Sequence, residues 1–251
     1  MKTLALKIEY DGTNYAGWQV QKNALTVQEV LESCIEAVFG IKLPTIAAGR
    51  TDSGVHALGQ VVSINLESEI SIPQEKILVA INSKLPLDIR IIESKIFDEK
   101  FHARFDAQFR QYKYILTTEY NLFRRNHISY IKYPINPDRL YSIANIFKRK
   151  TDFTSFSKYN PDNNNPVCDV TVCNWTESAT NVYELNIRAN HFLYGMVRSI
   201  VGNMIDFARN KKTELDIEKG FEIFDRNQNS PLAPPQGLYL EKVFYNNNFY
   251  I

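Results

Sequence analysis

The clearest structural signal in the sequence is the stretch Thr26-Val27-Gln28-Glu29-Val30-Leu31-Glu32-Ser33-Cys34-Ile35-Glu36-Ala37-Val38-Phe39. Thr26 and Glu29 have the spacing of a capping box, which satisfies free backbone N–H groups at the start of a helix. Apolar residues then recur at intervals of three and four, so one face of the stretch is apolar. The stretch therefore predicts an amphipathic helix with one face in the core.

Strand patterns lie on both sides of this helix. Residues 4–10 alternate with the period of a strand, and turn residues follow at 11–14. Further strands are predicted near 43–48, at 59–66 and at 89–96, and Pro73 is expected to open a second helix. The resulting order is β-α-β-β-α-β, which is the ferredoxin-like arrangement.

The second part of the chain repeats this order. The predicted elements are a strand at 111–117, a helix from Asn136-Pro137, strands near 169–176 and 182–189, helices at about 192–209 and near 216–226, and a last strand at 238–245. We therefore predict an α+β fold of two ferredoxin-like halves, residues 1–99 and 100–251, with a central antiparallel sheet and a basic cleft between them. The stretch Asn160–Pro166 is predicted to be a mobile loop.

Composition excludes several classes of protein. Of 251 residues, 44% are hydrophobic and 23% are charged, which are values of an ordinary globular protein and not of a disordered or coiled-coil chain. No apolar run is long enough to span a bilayer. Three cysteines without CxxC spacing favour a reducing cytoplasm, and four scattered histidines give little support to a metal site.

The charge is close to neutral but unevenly distributed. The formal net charge is +1, yet residues 100–125 carry six basic and two acidic side chains, and residues 186–212 carry five basic and one acidic. Two segments of local charge +4 can form one positive surface for a polyanion. The alternative is that these side chains face water in all directions, and the sequence favours neither interpretation.

Three residues in distinct settings are candidates for chemistry. Asp52 lies in a glycine-bounded loop with Arg50, where a cation can keep a carboxylate ionised as a nucleophile or base, although an ordinary turn explains the same pattern. Tyr112 alternates with cations on a strand, which suits either stacking on RNA or simple core packing. Arg198 lies in an apolar helical run and needs either an anion or a position facing solvent.

The sequence resembles the TruA family of tRNA pseudouridine synthases. The collinear matches run from near residue 8 to near residue 245 and include Tyr10-Asp11-Gly12, Ala48-Gly49-Arg50-Thr51-Asp52-Ser53-Gly54-Val55-His56-Ala57, Phe101-His102-Ala103-Arg104-Phe105, Tyr112-Lys113-Tyr114, Asp152-Phe153-Thr154-Ser155-Phe156, Met196-Val197-Arg198 and Gly237-Leu238-Tyr239-Leu240. The resemblance implies a cofactor-free, homodimeric enzyme that isomerises uridine to pseudouridine in the anticodon stem-loop of tRNA. A cytoplasmic location and the lack of a metal ion are expected from the cysteine and histidine patterns.

The resemblance also implies roles for five residues. Asp52 is the catalytic aspartate, Tyr112 the active-site tyrosine, and Arg198 the arginine that pairs with the aspartate. Arg50 and Leu238 contact the substrate: Arg50 helps to displace the target nucleotide from its stack, and Leu238 packs beside the target base. His56 and His102 are expected to have structural roles, and Asp11 is expected to shape its turn.

Two other functions remain open at this point. One is a non-catalytic RNA-binding module, because ferredoxin-like sheets bind RNA through surface aromatics. The other is a protein that binds a small molecule, because a fold does not determine a function. The presence of Asp52, Tyr112 and Arg198 together argues against the first, and the two basic segments argue against the second.

Overall fold

The computed structural model describes residues 2–66, 72–158, 165–223, 225–226 and 229–246. The chain divides into two compact units. The first contains the chain up to Gln108 together with the chain from Tyr239 onward, and the second runs from Phe109 to Leu238. Among the described residues, no helix combines the length and the apolar character needed to cross a membrane.

The first unit follows the predicted order of elements. They are β1 (Lys2–Tyr10), α1 (Val27–Phe39), β2 (Ile46–Ala47), β3 (His56–Leu66), α2 (Gln74–Asn82) and β4 (Ile89–Phe97). The Thr26 hydroxyl accepts from the Glu29 N–H at the start of α1, so the predicted helix cap is confirmed. Gly40 ends this helix with a φ of 73°, a backbone conformation that glycine adopts without cost.

The strands of the first unit run β4-β1-β3, with antiparallel pairing between neighbours. The short β2 also pairs antiparallel with β3, through Ile46 and Ser63. The last strand of the chain, β10 (Leu238–Phe244), pairs parallel with the start of β3, where Tyr239 is opposite His56. The C-terminal strand therefore lies beside the loop that precedes β3.

The second unit contains most of the remaining elements. They are β5 (Phe109–Thr117), β6 (Ser129–Tyr130), α3 (Pro137–Ile143), β7 (Lys150–Asp152), β8 (Val167–Ala179), β9 (Val182–Ala189), α4 (Met196–Ala208) and α5 (Glu214–Ile223). The strand order is β5-β9-β8-β7, antiparallel throughout, and β6 adds to β5 in parallel. Asn136 caps α3, with Pro137 in the first turn as predicted.

The prediction of an α+β fold is confirmed, but several predicted boundaries were wrong. The helix expected from 192 begins at Met196, because Gly195 has a φ of 68° and ends the preceding turn. Phe192 therefore lies before the helix and not on its apolar face. The helix expected near 216–226 is Glu214–Ile223, and the strand expected near 43–48 has only two residues.

The predicted antiparallel pairing is confirmed for most strands of each unit. The arrangement of two ferredoxin-like halves, residues 1–99 and 100–251, and the basic cleft between them stay predictions. Most of the predicted Asn160–Pro166 loop lies outside the described residues.

Candidate active site

The loop between β2 and β3 carries Arg50 and Asp52. Its first end is held by the Gln60 side-chain amide, which donates to the Gly49 carbonyl at 2.6 Å. The Ala48 N–H donates to the Val61 carbonyl at 2.8 Å. The turn itself is closed by the Val55 N–H, which donates to the Asp52 carbonyl at 3.1 Å. Hydrogen bonds to β3 and within the turn therefore hold the backbone on both sides of Asp52.

A second segment, residues 10–18, begins at the last residue of β1 and forms hydrogen bonds to the same loop. The Tyr10 and Thr51 hydroxyls are 2.8 Å apart, and the Trp18 N–H donates to the Thr51 carbonyl at 3.1 Å. The Tyr15 carbonyl accepts from the Gly54 N–H at 3.3 Å. Tyr10, Tyr15 and Trp18 are all buried. The loop therefore rests on a rigid part of the core.

Two glycines allow this close approach. A Cβ on Gly12 would lie 2.0 Å from the Val55 carbonyl oxygen, and a Cβ on Gly17 would lie 2.6 Å from the Thr51 carbonyl oxygen. Gly17 also has a φ of 99°, a backbone conformation that is unfavourable for residues other than glycine. Gly12 and Gly17 therefore allow the backbone of segment 10–18 to lie directly against the backbone of the aspartate loop.

His56, Asp11 and His102 each have hydrogen-bond partners in this unit, and their structural roles stay a prediction. The buried His56 ring stacks on Tyr239 with 4.7 Å between the ring centres, and its Nδ1 accepts from the Gly12 N–H at 3.0 Å. The Asp11 carboxylate accepts from the Thr13 N–H at 3.0 Å and so shapes its turn. His102 Nδ1 accepts from the backbone N–H groups of two following residues. By contrast, Asp52 is half-buried and Arg50 is exposed.

In the second unit, Tyr112 is on β5 opposite Ile187 of β9. It is buried, with its ring edge-to-face against Phe192 at 5.1 Å between centres. Tyr114 is on the same face of the strand, two residues further on. It is fully buried, and its hydroxyl donates to the Pro234 carbonyl at 3.0 Å. Burial raises the pKa of the Tyr114 phenol well above its usual range.

Arg198 is half-buried on α4 and is anchored to the chain before β10. Its Nε–H donates to the Ala233 carbonyl at 2.8 Å, and the Ala233 N–H donates back to the Arg198 carbonyl at 2.9 Å. One turn later, a Cβ on Gly202 would lie 2.1 Å from the Pro231 carbonyl oxygen. The segment that leads to Leu238 therefore lies directly against this helix and orients the guanidinium.

Sequence reasoning missed the polar residues that support this contact. The Arg226 guanidinium donates to the Ser199 hydroxyl and to the Ser230 carbonyl, which ties the segment to α4 beside Arg198. Burial and the positive charge of Arg198 lower the pKa of Arg226. The available signal was that Ser199 is a polar residue in a largely apolar helix, and this pattern does not identify its partner.

Leu238 is buried at the start of β10. It follows Gly237, where a Cβ would lie 2.6 Å from the Ile115 carbonyl oxygen and 2.9 Å from the Tyr114 ring. The second unit therefore links the candidate residues Tyr112, Arg198 and Leu238 through the segment 233–237. Tyr114, which shares a strand face with Tyr112, bonds to Pro234 of this segment. Arg198 bonds to Ala233, and Leu238 directly follows the segment.

The basic segments are only partly exposed. Arg110 is buried and donates to the Asn190 carbonyl at 2.9 Å. Lys113 pairs with Glu184 at 3.8 Å, and Arg209 pairs with Asp206 at 3.5 Å. Five other basic side chains of these segments are exposed, namely Lys100, Arg104, Arg124, Arg125 and Lys211. Some of these charges therefore have partners within the protein, and whether the exposed ones form one positive surface stays a prediction.

Comparison with known proteins assigns the family. The model of the tRNA pseudouridine synthase family matches residues 7–106 and 143–246. The chain belongs to this family. Its matched residues include Arg50, Asp52, Arg198 and Leu238, whereas Tyr112 lies between the two matched segments.

Relatives named tRNA pseudouridine synthase A cover nearly the whole chain. The protein of Thermoanaerobacter sp. (strain X514) is 40% identical over 250 residues, which are 98% of this chain and 100% of the relative. That of Bacillus pumilus (strain SAFR-032) is 36% identical over 244 residues, 96% of this chain and 98% of the relative. That of Bacillus subtilis (strain 168) is 36% identical over 248 residues, 97% and 99% of the two chains.

Proposed function

We propose that this protein is a tRNA pseudouridine synthase that isomerises uridines of the anticodon stem-loop. The observation that carries the proposal is its membership of the tRNA pseudouridine synthase family, whose matched residues include the aspartate loop. The name shared by its relatives supports tRNA as the substrate. The exposed basic side chains supply the charge that a polyanionic substrate needs.

The reaction rearranges one bond between the base and the sugar. The target nucleotide leaves its stack, because its glycosidic bond is inaccessible inside a helix. The C1′–N1 bond then breaks, the uracil turns over, and a C5–C1′ bond forms. C5 loses its proton and N1 gains one, so the reaction is an isomerisation with no net loss or gain of atoms or electrons.

Asp52 is the residue that we assign to the reacting sugar or base. A carboxylate can attack C1′, add to C6 of the base, or remove the C2′ proton, and each of these routes requires an ionised carboxylate near the nucleotide. The loop geometry suits such a role, since the turn is fixed on both sides and Asp52 is half-buried. Arg198 is proposed to pair with this carboxylate and to keep it charged.

The other candidate residues act on the base. The Tyr112 phenol is proposed to assist removal of the C5 proton, and its ring edge is already fixed by Phe192. Leu238 is proposed to pack against the uracil, and the exposed Arg50 to help hold the target nucleotide out of its stack. We further propose that the enzyme is a homodimer that needs no cofactor, as the family resemblance implies. The cysteine and histidine patterns support a cytoplasmic location and the lack of a metal ion.

Incubation with unmodified tRNA tests the proposal. The purified protein, without added cofactor, is expected to form pseudouridine at anticodon-arm positions, and site mapping should find none elsewhere in the tRNA. Tight binding of tRNA without any product would instead indicate an RNA-binding module. Absence of both binding and product would indicate a small-molecule ligand.

A further inference from the structure

The turn between β5 and β6 presents apolar and basic side chains together to solvent. It comprises residues 120–125, Tyr120-Asn121-Leu122-Phe123-Arg124-Arg125, and is called here the 120–125 turn. Phe123 is 91% exposed, and the fractions for Tyr120 and Leu122 are 61% and 53%. Arg124 and Arg125 are exposed as well. It lies in the stretch 107–142 that the family model leaves unmatched.

This turn is rigid despite its exposure. The Asn121 side chain accepts from the backbone N–H groups of Phe123 and Arg124 at 3.0 and 3.1 Å. The Arg125 guanidinium donates to the Leu122 carbonyl at 2.8 Å. The chain then returns as β6, parallel to the end of β5. Ordering a binding surface in advance reduces the entropy that is lost when a ligand binds.

The charges of the turn are not neutralised by a neighbouring acid in the described part of the chain. In the described part of the chain, neither Arg124 nor Arg125 has an ion-pair partner. The nearest acid in sequence, Glu119, accepts instead from the Asn181 side-chain amide at 2.8 Å. Two adjacent cations beside a freely exposed aromatic ring are complementary to RNA, in which phosphates alternate with bases that offer a stacking face.

A second copy of the chain fits this turn less well than RNA. In a two-fold symmetric contact, a surface patch meets the same patch of its partner. Two copies of the turn would bring four arginines into one interface, and residues 120–125 contain no acidic side chain to pair with them. An RNA strand supplies both an apolar face for Phe123 and an anion for each arginine.

We infer that the 120–125 turn is a second RNA contact, in which Phe123 stacks on an unpaired base of the tRNA and Arg124 and Arg125 bind neighbouring phosphates. This inference rests on the proposed function. Tyr112 and Thr117 are five residues apart on β5, so the strand ends about 17 Å from the candidate active-site tyrosine, three residues before the turn begins. At a rise of about 3.4 Å per nucleotide, that distance is about five nucleotides of a stacked strand.

Four substitutions in the full-length protein test the inference, with dissociation constants measured for unmodified tRNA. Phe123→Ala is expected to weaken binding roughly tenfold by loss of stacking. Phe123→Trp should bind like the parent, whereas Phe123→Leu should resemble Phe123→Ala, because leucine is apolar but has no aromatic face. Arg124→Ala should weaken binding and reduce the slope of log Kd against log salt concentration by about one.

Matched controls lie on α5, among acidic residues. Leu215→Ala removes an apolar side chain that is 61% exposed, and Lys219→Ala removes one exposed cation beside Asp216. Both are expected to bind tRNA like the parent. All variants should keep the parent melting temperature, since they alter exposed side chains, and their kcat for pseudouridine formation should be unchanged while KM rises for Phe123→Ala and Arg124→Ala.

Two results would overturn the inference. One is tRNA binding within twofold of the parent for both Phe123→Ala and Arg124→Ala. The other is parent-like tRNA binding by Phe123→Leu, combined with dissociation of the Phe123→Ala dimer into monomers in solution. That result would show that the turn is an interface between copies of the chain. Product formation by the parent distinguishes these failures from failure of the proposed function, because an active parent with unaffected variants refutes only the role of the turn.

Discussion

At the scale of single residues, the half-buried Arg198 guanidinium is already fixed at one of its nitrogens. Its Nε–H is used by the Ala233 carbonyl, and a guanidinium carries four further N–H donors. A cation held in this way can present a fixed pair of donors to a carboxylate, which a flexible lysine ammonium cannot. The proposed role of Arg198 therefore depends on its geometry as well as on its charge.

Substitution of Arg198 should separate these two properties. Arg198→Lys keeps the charge but loses the planar donor pair, so turnover is expected to fall sharply. Arg198→Ala should fall further, by about a hundredfold or more, corresponding to roughly 3 kcal/mol for an ion pair that loses one partner. Arg149→Ala is the control, because it removes a bidentate pair with Glu218 that has no proposed catalytic role. Near-parental turnover by Arg198→Ala would contradict the assignment.

Tyr114 gives a prediction about alkaline pH. Burial raises the pKa of its phenol, so the folded state favours the neutral form more strongly than the unfolded state does. The associated stability is present below the ordinary phenol pKa of about 10 and is lost as pH rises above that value. Tyr114→Phe is expected to cost about 1 kcal/mol near neutral pH, through loss of the hydrogen bond to Pro234.

Urea unfolding at a series of pH values measures this effect. The free energy of unfolding of the parent should fall more steeply above about pH 10 than that of Tyr114→Phe, because the variant has no phenol to ionise at this position. Parallel pH profiles for the two proteins would show that the ionisation of Tyr114 does not differ between the folded and unfolded states.

At the scale of elements, glycines determine how closely the aspartate loop and segment 10–18 approach each other. Gly17 lies against the Thr51 carbonyl and has a positive φ, so a side chain there meets both steric contact and backbone strain. Gly40 also has a positive φ, at the end of α1, but nothing lies within 4 Å of the position of a Cβ. A side chain at Gly40 would therefore cause backbone strain alone, whereas a side chain at Gly17 would cause both backbone strain and a steric clash.

Gly17→Ala and Gly40→Ala form a matched pair for this comparison. Gly40→Ala should lower the free energy of unfolding by about 1 kcal/mol and leave pseudouridine formation unchanged. Gly17→Ala should cost more and should also reduce turnover, because the aspartate loop has to move to admit the methyl group. Equal effects of the two substitutions on turnover would exclude the proposed support of the loop by Gly17.

Elements with local signals were the ones that the sequence could predict. Thr26 and Asn136 each form a cap with neighbours a few residues away, so α1 and α3 were predicted with their start sites. The start of α4 was missed because it depends on the left-handed backbone conformation of Gly195. Glycine adopts left-handed and right-handed conformations with similar ease, so its presence does not predict where the helix begins. The pairing of β10 with β3 joins residues far apart in sequence, and no local pattern specifies that partner.

The candidate site divides in the same way. Asp52, Tyr112 and Arg198 were found through motif resemblance, since their local patterns also fitted a turn, a core strand and an exposed arginine. The residues that hold them had no local signal. The Ala233 carbonyl and the Arg226–Ser199 contact are long-range interactions of main chain and side chains that appear only once the chain is folded.

At the scale of the whole molecule, we expect the enzyme to be a homodimer. The basis is the family resemblance together with a chain of small net charge whose sequence carries two segments of local charge +4. Analytical ultracentrifugation at micromolar concentration should give twice the mass of one chain. A fully active protein with the mass of a single chain would contradict this expectation.

Asp52 is proposed to supply the carboxylate that pseudouridine formation in tRNA requires, and its substitution by asparagine tests this role. Asp52→Asn replaces the carboxylate by an amide of nearly the same shape, with pseudouridine formation and tRNA binding both measured. Asp98→Asn is the control, since that carboxylate is 91% exposed. We predict no detectable product from Asp52→Asn, with tRNA binding close to that of the parent and normal turnover by the control. Turnover by Asp52→Asn within tenfold of the parent would contradict the claim.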